Sequence, residues 1–484
     1  MSSKEKTNLT NWEIVSVNPT DKIWNWKHIF CFWANSIQTI IGFSLIATLF
    51  LAYNLDITVI CIGSLIGLLL IAFLCNLIGK PSQKHGIPFP VILRISMGVF
   101  GARYLSLLRG FTGIFMFGVQ TFFISKSFSY LIRIAIFSYD NELMNSEIFL
   151  YFFMGQNLID WTAFIIAFLI QYYLFTNGHL FNKTFIVFSA SLVYFVLILL
   201  AIILFSENFE FISEKINSTL VFSNILEKES LFKVLSVVGI IFAYFSILIL
   251  NYGDFSRYTK DEAEMKKGNY SLILNFIFFT FLCVVIVLGS DAFLKSNMIN
   301  AEKLLTNPTD IIGKIDNLYL TIIVLFLIFF ASASTNLIAN HIPSQNSLIN
   351  LFPGTLGLKS AGLIILIFGA TIGSLWLPFI SKLGLLSFVD SLGSFFGPMF
   401  GIIIIDYYVI KKQKIVNKDV FSSDVSGTYY YSGGWHLKGL YSLIIGFVFA
   451  ASTIWNPNFV FLQSFSWIIG ALIASFTYYL LASR

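Results

Sequence analysis

The sequence predicts an all-α integral membrane protein with 12 transmembrane helices. Three observations carry that reading. Hydrophobic residues make up 57% of the 484-residue chain and charged residues only 11%, where a soluble domain carries about 25% charge. Mean hydropathy is +0.81. The apolar residues fall into continuous runs of about 20, enough to cross a bilayer as helices. Continuity also excludes a transmembrane β-barrel, whose strands alternate apolar and polar residues.

The runs cover 28–53, 57–78, 105–135, 159–177, 183–205, 232–253, 270–295, 317–340, 360–380, 383–405, 437–455 and 458–481, here helices 1 to 12. The N-terminal stretch 1–26 is polar, without a cleavable signal pattern. Lys80, Lys84, Arg94 and Arg103 follow helix 2; Arg257, Lys260, Lys266 and Lys267 follow helix 6; Lys411, Lys412, Lys414 and Lys418 follow helix 10. The connection after helix 5 is acidic, with Glu207, Glu210, Glu214, Glu227 and Glu229. Basic connections mark the cytoplasmic side. Both termini are therefore expected inside, in the inner or plasma membrane.

The longest connections, 206–231 and 406–436, leave no room for a soluble domain. There is no phosphate loop, HExxH, GxSxG or CxxC, so ATP hydrolysis and the common soluble catalytic classes are not expected, and neither is a nucleic-acid partner. Cys31, Cys61, Cys75 and Cys283 sit in apolar runs and read as small hydrophobes. The five His are scattered.

Polar residues inside the apolar runs carry the functional signal. Helix 8 ends FFASASTNLIAN, and Ala331, Ser334 and Thr335 stand at i, i+3 and i+4 on one face. Small residues there also serve close helix packing. Side-chain oxygens at this density, with a nearby carbonyl and the Asn340 amide, suit a desolvated hard cation such as Na⁺. One helix cannot complete such a site; a helix interrupted at mid-membrane would supply free carbonyls. Helix 1 offers ANSIQT (34–39) followed by Gly42. A break there frees the carbonyls of Ala34 and Ile37 and leaves Gln38 with both hydrogen-bonding functions. Helix 3 carries Met116 and Gln120 at i, i+4, a pairing that suits a flat heterocycle or a plain interhelical amide bond. Tyr244 and Phe245 lie mid-span in helix 6.

These residues resemble the nucleobase–cation symporter family, which includes bacterial hydantoin, allantoin, cytosine and uracil permeases. The resemblance runs over about residues 20–435. It rests on ANSIQ, KHGIPFPVILRISMGVFGA (84–102), FGVQT, NYGDFSRYTK, STNLIAN and GPMFGIIIIDYYVIKKQKI (397–415), in that order. It implies five helices repeated in inverted orientation, with helices 1 and 6 discontinuous, plus two C-terminal helices. The corresponding division is an N-terminal segment 1–26, a first repeat 27–205, an extracellular loop 206–231, a second repeat 232–405, a cytoplasmic loop 406–436 and helices 11 and 12 in 437–484. The resemblance implies a Na⁺ site on the carbonyls of Ala34, Ile37 and Ala331 and the hydroxyls of Ser334 and Thr335. It places substrate against Gln38, Met116, Gln120, Tyr244, Phe245 and Asn340. A secondary transporter follows, importing a small nucleobase-like substrate with Na⁺ by alternating access, as a monomer in the lipid bilayer.

Two positions depart from the pattern. The hydantoin transporter stacks its substrate between tryptophans of helices 3 and 6, where this chain has Met116 and Phe245. Tyr244 stands where a Gly is usual. The smaller stacking surface favours a compact imide or ureide such as uracil or allantoin over an aryl-substituted hydantoin. Asp390, inside helix 10, replaces an amide. It is either a gate or proton-carrying residue or a hydrated carboxylate near the outer end. Asp254 and Arg257 suit an inner gate or a cap on helix 6. The alternatives are proton coupling, or a related transporter for thiamine, another vitamin or an amino acid. The Gly-rich break that captures an amino-acid carboxylate is absent from ANSIQT.

Overall fold

The computed structural model describes residues 9–51, 55–140, 142–219, 228–296, 304–306, 308, 311, 317–382, 391 and 393–483. The described residues form helices joined by turns, with only isolated bridges and no extended strand. Nine helices among them are long and apolar enough to cross a bilayer, and a bent pair makes a tenth span. Two shorter apolar helices, Leu358–Ser374 and Phe396–Ile410, fall in the positions expected for helices 9 and 10. The first half of helix 10, with Asp390, lies outside the described residues.

Helix 1 is broken as its sequence predicts. Trp26–Ile37 and Ile40–Leu51 meet at an angle of 73°. Asn25 and His28 form a capping box at its start, which satisfies helix-end donors. Helix 2 spans Ile57–His85 and ends at Gly86, whose φ of +71° is a left-handed cap. Any Cβ on Gly86 would also lie 2.7 Å from the Val17 nitrogen, so glycine admits both the turn and the close approach of the N-terminal segment. The motif 84–102 holds a short helix, Phe89–Met97, buried at every position. Arg94, counted above among the loop charges, is inside the protein, donating to Asn350 and to the carbonyls of Leu9 and Val420.

Helix 3 is Val99–Tyr139, helix 4 Leu158–Phe175 and helix 5 His179–Glu207. Helix 6 is interrupted near its end and not at mid-membrane. It runs unbroken from Lys228 to Leu250, and the interruption comes only at 251–252, before the short helix Gly253–Ser256. The mid-span residues IIFAYFSILIL (240–250) contain no Gly or Pro, so nothing local stops the helix there. Helix 7 is Glu262–Ser296. Helix 8 runs Leu318–Asn336, loosens into a π-turn at Leu337–His341 and continues as Ile342–Leu351. Pro343 explains the loosening. It has no N–H for the Ala339 carbonyl one turn back, and that carbonyl accepts a bond from buried Arg109 of helix 3 at 2.5 Å. Helix 2 repeats the device: Pro81 leaves the Leu77 carbonyl free, and Tyr408 of the helix 10 π-turn donates to it at 3.0 Å.

Helices 1, 2, 6 and 7 form one packed group and helices 3, 4, 8 and 9 another, with helix 5 beside helices 1, 7 and 8. Helices 11 and 12, Leu437–Trp455 and Ser466–Ala482, pack on each other and on helix 10. The outer faces carry exposed Phe73, Ile165, Phe195, Ile277 and Phe368. Apolar surface of this extent is what a helix bundle presents to acyl chains.

Candidate binding site

The break in helix 1 gives up the regular pairing of the Ser36 carbonyl. Tyr244 of helix 6 answers it, its hydroxyl donating to Ser36 O at 2.8 Å. The same hydroxyl lies 3.1 Å from Thr39 Oγ1, which accepts the Gly42 N–H at 2.7 Å. Gly42 is obligatory here, because a Cβ would sit 2.1 Å from the Ile37 carbonyl oxygen and 2.8 Å from the Tyr244 hydroxyl. Tyr244 therefore clasps the break. The break does not free the Ala34 and Ile37 carbonyls as the sequence suggests, because the chain turns tightly there and they accept the N–H groups of Gln38 and Thr39.

Helix 8 meets helix 1 just before this break. Ser334 donates to Asn35 Oδ1 at 2.7 Å, and Thr335 donates to the Asn35 carbonyl at 2.6 Å. Both hydroxyls also reach the Ala331 carbonyl, at 3.0 and 2.9 Å. Asn35 is itself held by the carbonyls of Cys31 and Ile186. Five oxygens from two helices thus converge without a charged group. That donor chemistry fits a hard monovalent cation, with hydroxyl lone pairs turned toward the ion. No cluster of His, Cys, Asp or Glu suited to a metal occurs among the described residues.

A second polar array lies between helices 3, 4 and 8, set by the π-turn. Asn340 donates to Gln120 Oε1 at 3.0 Å and to Asn336 Oδ1 at 2.8 Å. Asn336 donates on to Gln171 Oε1 at 2.8 Å and Thr121 Oγ1 at 3.0 Å. Gln120 donates to the Ser332 carbonyl, beside the hydroxyl pair. π-Turns recur at functional sites because they re-aim side chains within a helix. Here one aims Asn340 across to helix 3.

The structure brings Gln120 and Asn340 together as a bonded pair. Phe245 is buried and packs edge-on against Tyr244 and Trp33, with ring centroids 4.8 and 6.0 Å away. Met116 is half-buried one turn before Gln120. Gln38 stands apart from the amide pair. Its Nε2 reaches the Ala190 carbonyl of helix 5 at 3.4 Å, and its side chain lines an apolar cavity between helices 1, 5, 7 and 8 together with Thr39 and Ala331. Asn35, Trp33 and Gln171 are not singled out by the sequence, and Asn336 stands out only as one of the polar residues ending helix 8, with no site role. Asn35 lies inside the quoted ANSIQ, and Asn336 stands four residues before Asn340, so both were within view.

A polytopic helical bundle with a broken first span and a buried polar site is the architecture of a membrane transporter. The sequence matches the family of permeases for cytosine/purines, uracil, thiamine and allantoin over residues 16–475, and the chain belongs to that family. It is 25% identical to the allantoin permease of Bacillus subtilis (strain 168) over 491 residues, covering 100% of this chain and 95% of that one. It is also 25% identical to the purine-uracil permease NCS1 of Arabidopsis thaliana, covering 98% and 78%. Among solved structures it resembles Mhp1, a nucleobase-cation-symport-1 family transporter in a closed conformation with bromovinylhydantoin bound. The TM-score is 0.72 at 16% identity, over 97% of this chain and 94% of that one. A Na⁺-coupled sialic acid symporter shares the fold at a TM-score of 0.62 and 13% identity, over 95% and 89%. The protein is a membrane permease, not an enzyme.

Proposed function

We propose that this permease imports a compact planar imide or ureide, of the uracil or allantoin class, together with Na⁺. The observation that carries the reading is the double use of helix 8. One face clasps the helix 1 break through Ser334 and Thr335, and the turn after it presents Asn340 to Gln120. Na⁺ would take the carbonyl of Ala331 and the two hydroxyls, with helix 1 carbonyls from Ala34, Asn35 or Ile37 completing the shell. Substrate N–H and C=O groups would exchange with the Gln120–Asn340 bond, since each amide both donates and accepts. Phe245 would supply an apolar face, with Met116 opposite. Ion and substrate sites joined by one helix are energetically coupled, and the coupling acts equally in both directions.

The inverted repeats fall at 27–205 and 232–405 in this reading. The protein works as a monomer in the plasma membrane with both termini inside. The test is uptake of radiolabelled uracil, allantoin, cytosine, hydantoin and thiamine into proteoliposomes, with sodium or pH gradients. Sodium-driven uptake of uracil or allantoin is expected. Uptake of thiamine alone would overturn the substrate class, and uptake driven only by a proton gradient would overturn the ion.

A further inference from the structure

Helices 6 and 8 continue past the amide site to a second, polar cavity. Asn346 stands six residues beyond Asn340 on helix 8, about 9 Å further at 1.5 Å per residue. Asp254 follows Phe245 by nine residues. The cavity is lined by Trp24, Asn182, Asp254, Arg257 and Asn346, with the ring pair of His179 and Tyr258. Those two rings stack nearly flat, 4.7 Å apart at 7°. The N-terminal segment covers it. Trp24 bonds Tyr258 and Lys260 through its backbone, and the Glu13 carbonyl accepts from Arg257.

Five polar atoms here have no hydrogen-bond partner within the protein: Trp24 Nε1, Asn182 Oδ1, Asp254 Oδ2, Arg257 Nε and Asn346 Nδ2. All five residues are more than nine-tenths buried. Burial disfavours a charged Asp254, while the Arg257 charge and the adjacent Asn346 amide pull the other way; the Asn346 amide stands beside the carboxyl without closing a full hydrogen bond to Oδ2. Each buried polar group left unpaired costs roughly 1–3 kcal/mol. Several on one cavity wall point to a ligand that supplies the missing partners. Three are donors and two acceptors, beside a flat aromatic platform. A neutral planar molecule with both C=O and N–H groups meets that set. A simple anion leaves the acceptors unmet, and a simple cation leaves the donors unmet.

We propose that this cavity is a second substrate site on the exit path, taking the same imide or ureide class after release from Gln120 and Asn340. N–H groups of the substrate bond Asp254 and Asn182, and its carbonyls accept from Asn346, Arg257 and Trp24. The proposal rests on the substrate class given above. The experiment is equilibrium binding of tritiated uracil and radiolabelled allantoin to the full-length purified protein in saturating sodium. About two molecules of the recognised probe per chain are expected. Asn346→Leu and, independently, Asn182→Leu should each lower the count to about one. Asn340→Leu should keep one, bound at the inner cavity. One molecule per chain in the wild type, unchanged by Asn346→Leu, overturns the second site and leaves the first intact; the cavity then holds only water. No binding of either probe overturns the substrate class and this inference with it. The wild-type count decides without relying on the folding of any variant.

Discussion

Tyr244→Phe removes one hydroxyl and leaves the ring, so it isolates the clasp on helix 1. The hydroxyl donates to Ser36 O at 2.8 Å and lies 3.1 Å from Thr39 Oγ1. Without it the Ser36 carbonyl stays buried and unpaired, at a cost of roughly 1–3 kcal/mol. At 1.4 kcal/mol per tenfold, this is a shift of about 5- to 150-fold against the clasped form of helix 1. Ion and substrate are proposed to bind that form, so the apparent affinity of both should fall by the same factor. Equilibrium binding of allantoin across a sodium titration reads both affinities. A thermal melt without substrate should also drop by several degrees. If Tyr244 acted only by touching substrate, the substrate-free melt would not move. An unchanged melt together with unchanged sodium dependence would refute the clasp. Gly42→Ala is the harsher companion, because its Cβ would sit 2.1 Å from the Ile37 oxygen; no folded transporter is expected at normal yield.

Thr335→Ala deletes an oxygen shared between Asn35 and Ala331; sodium should be required at ten-fold or higher concentration, while Thr335→Ser stays near wild type in the same sodium titration of uptake. Asn340→Leu strips a donor from both Gln120 and Asn336, costing about 1–3 kcal/mol for each acceptor left bare, and uptake should fall at least ten-fold with Asn340→Gln only partly restoring it. Asp254 gives a pH prediction: burial raises its carboxyl from the usual 3.8 to about 7, against the pull of Arg257 and the Phe89 N–H. The folded chain then holds this proton where the unfolded chain has lost it, so the contribution of Asp254 to stability is full below about pH 4 and is lost as pH rises to about 7; Asp254→Asn should flatten that part of the melting-temperature profile.

The sequence makes some irregularities of these helices visible but not what answers them. The ANSIQT stretch shows from sequence that carbonyls lose their donors, though it points to Ala34 and Ile37, and the structure adds two more such places, before Pro81 and before Pro343. The carbonyls left free belong to Leu77, Ala339 and Ser36. In a bilayer no water stands ready to satisfy them, so the protein must. Tyr408, Arg109 and Tyr244 do so, from 331, 230 and 208 positions away in the chain. No local pattern links such distant residues. The same limit hid Asn35, whose side chain and backbone both receive helix 8, although the hydroxyls that reach it were plain from their i, i+3, i+4 spacing. It also hid the bond of Tyr244 to the Ser36 carbonyl and the direction of Gln38, toward helix 5. The interruption of helix 6 falls near its end, at 251–252, and the stretch 240–250 around Tyr244 is continuous helix. That continuous stretch and the break in helix 1 belong together: it presents a rigid hydroxyl to the carbonyl that the broken helix 1 sets free. Each irregularity is thereby converted into a bond between helices, and the bonds at Ala339 and Ser36 lie beside the residues proposed to hold substrate and ion.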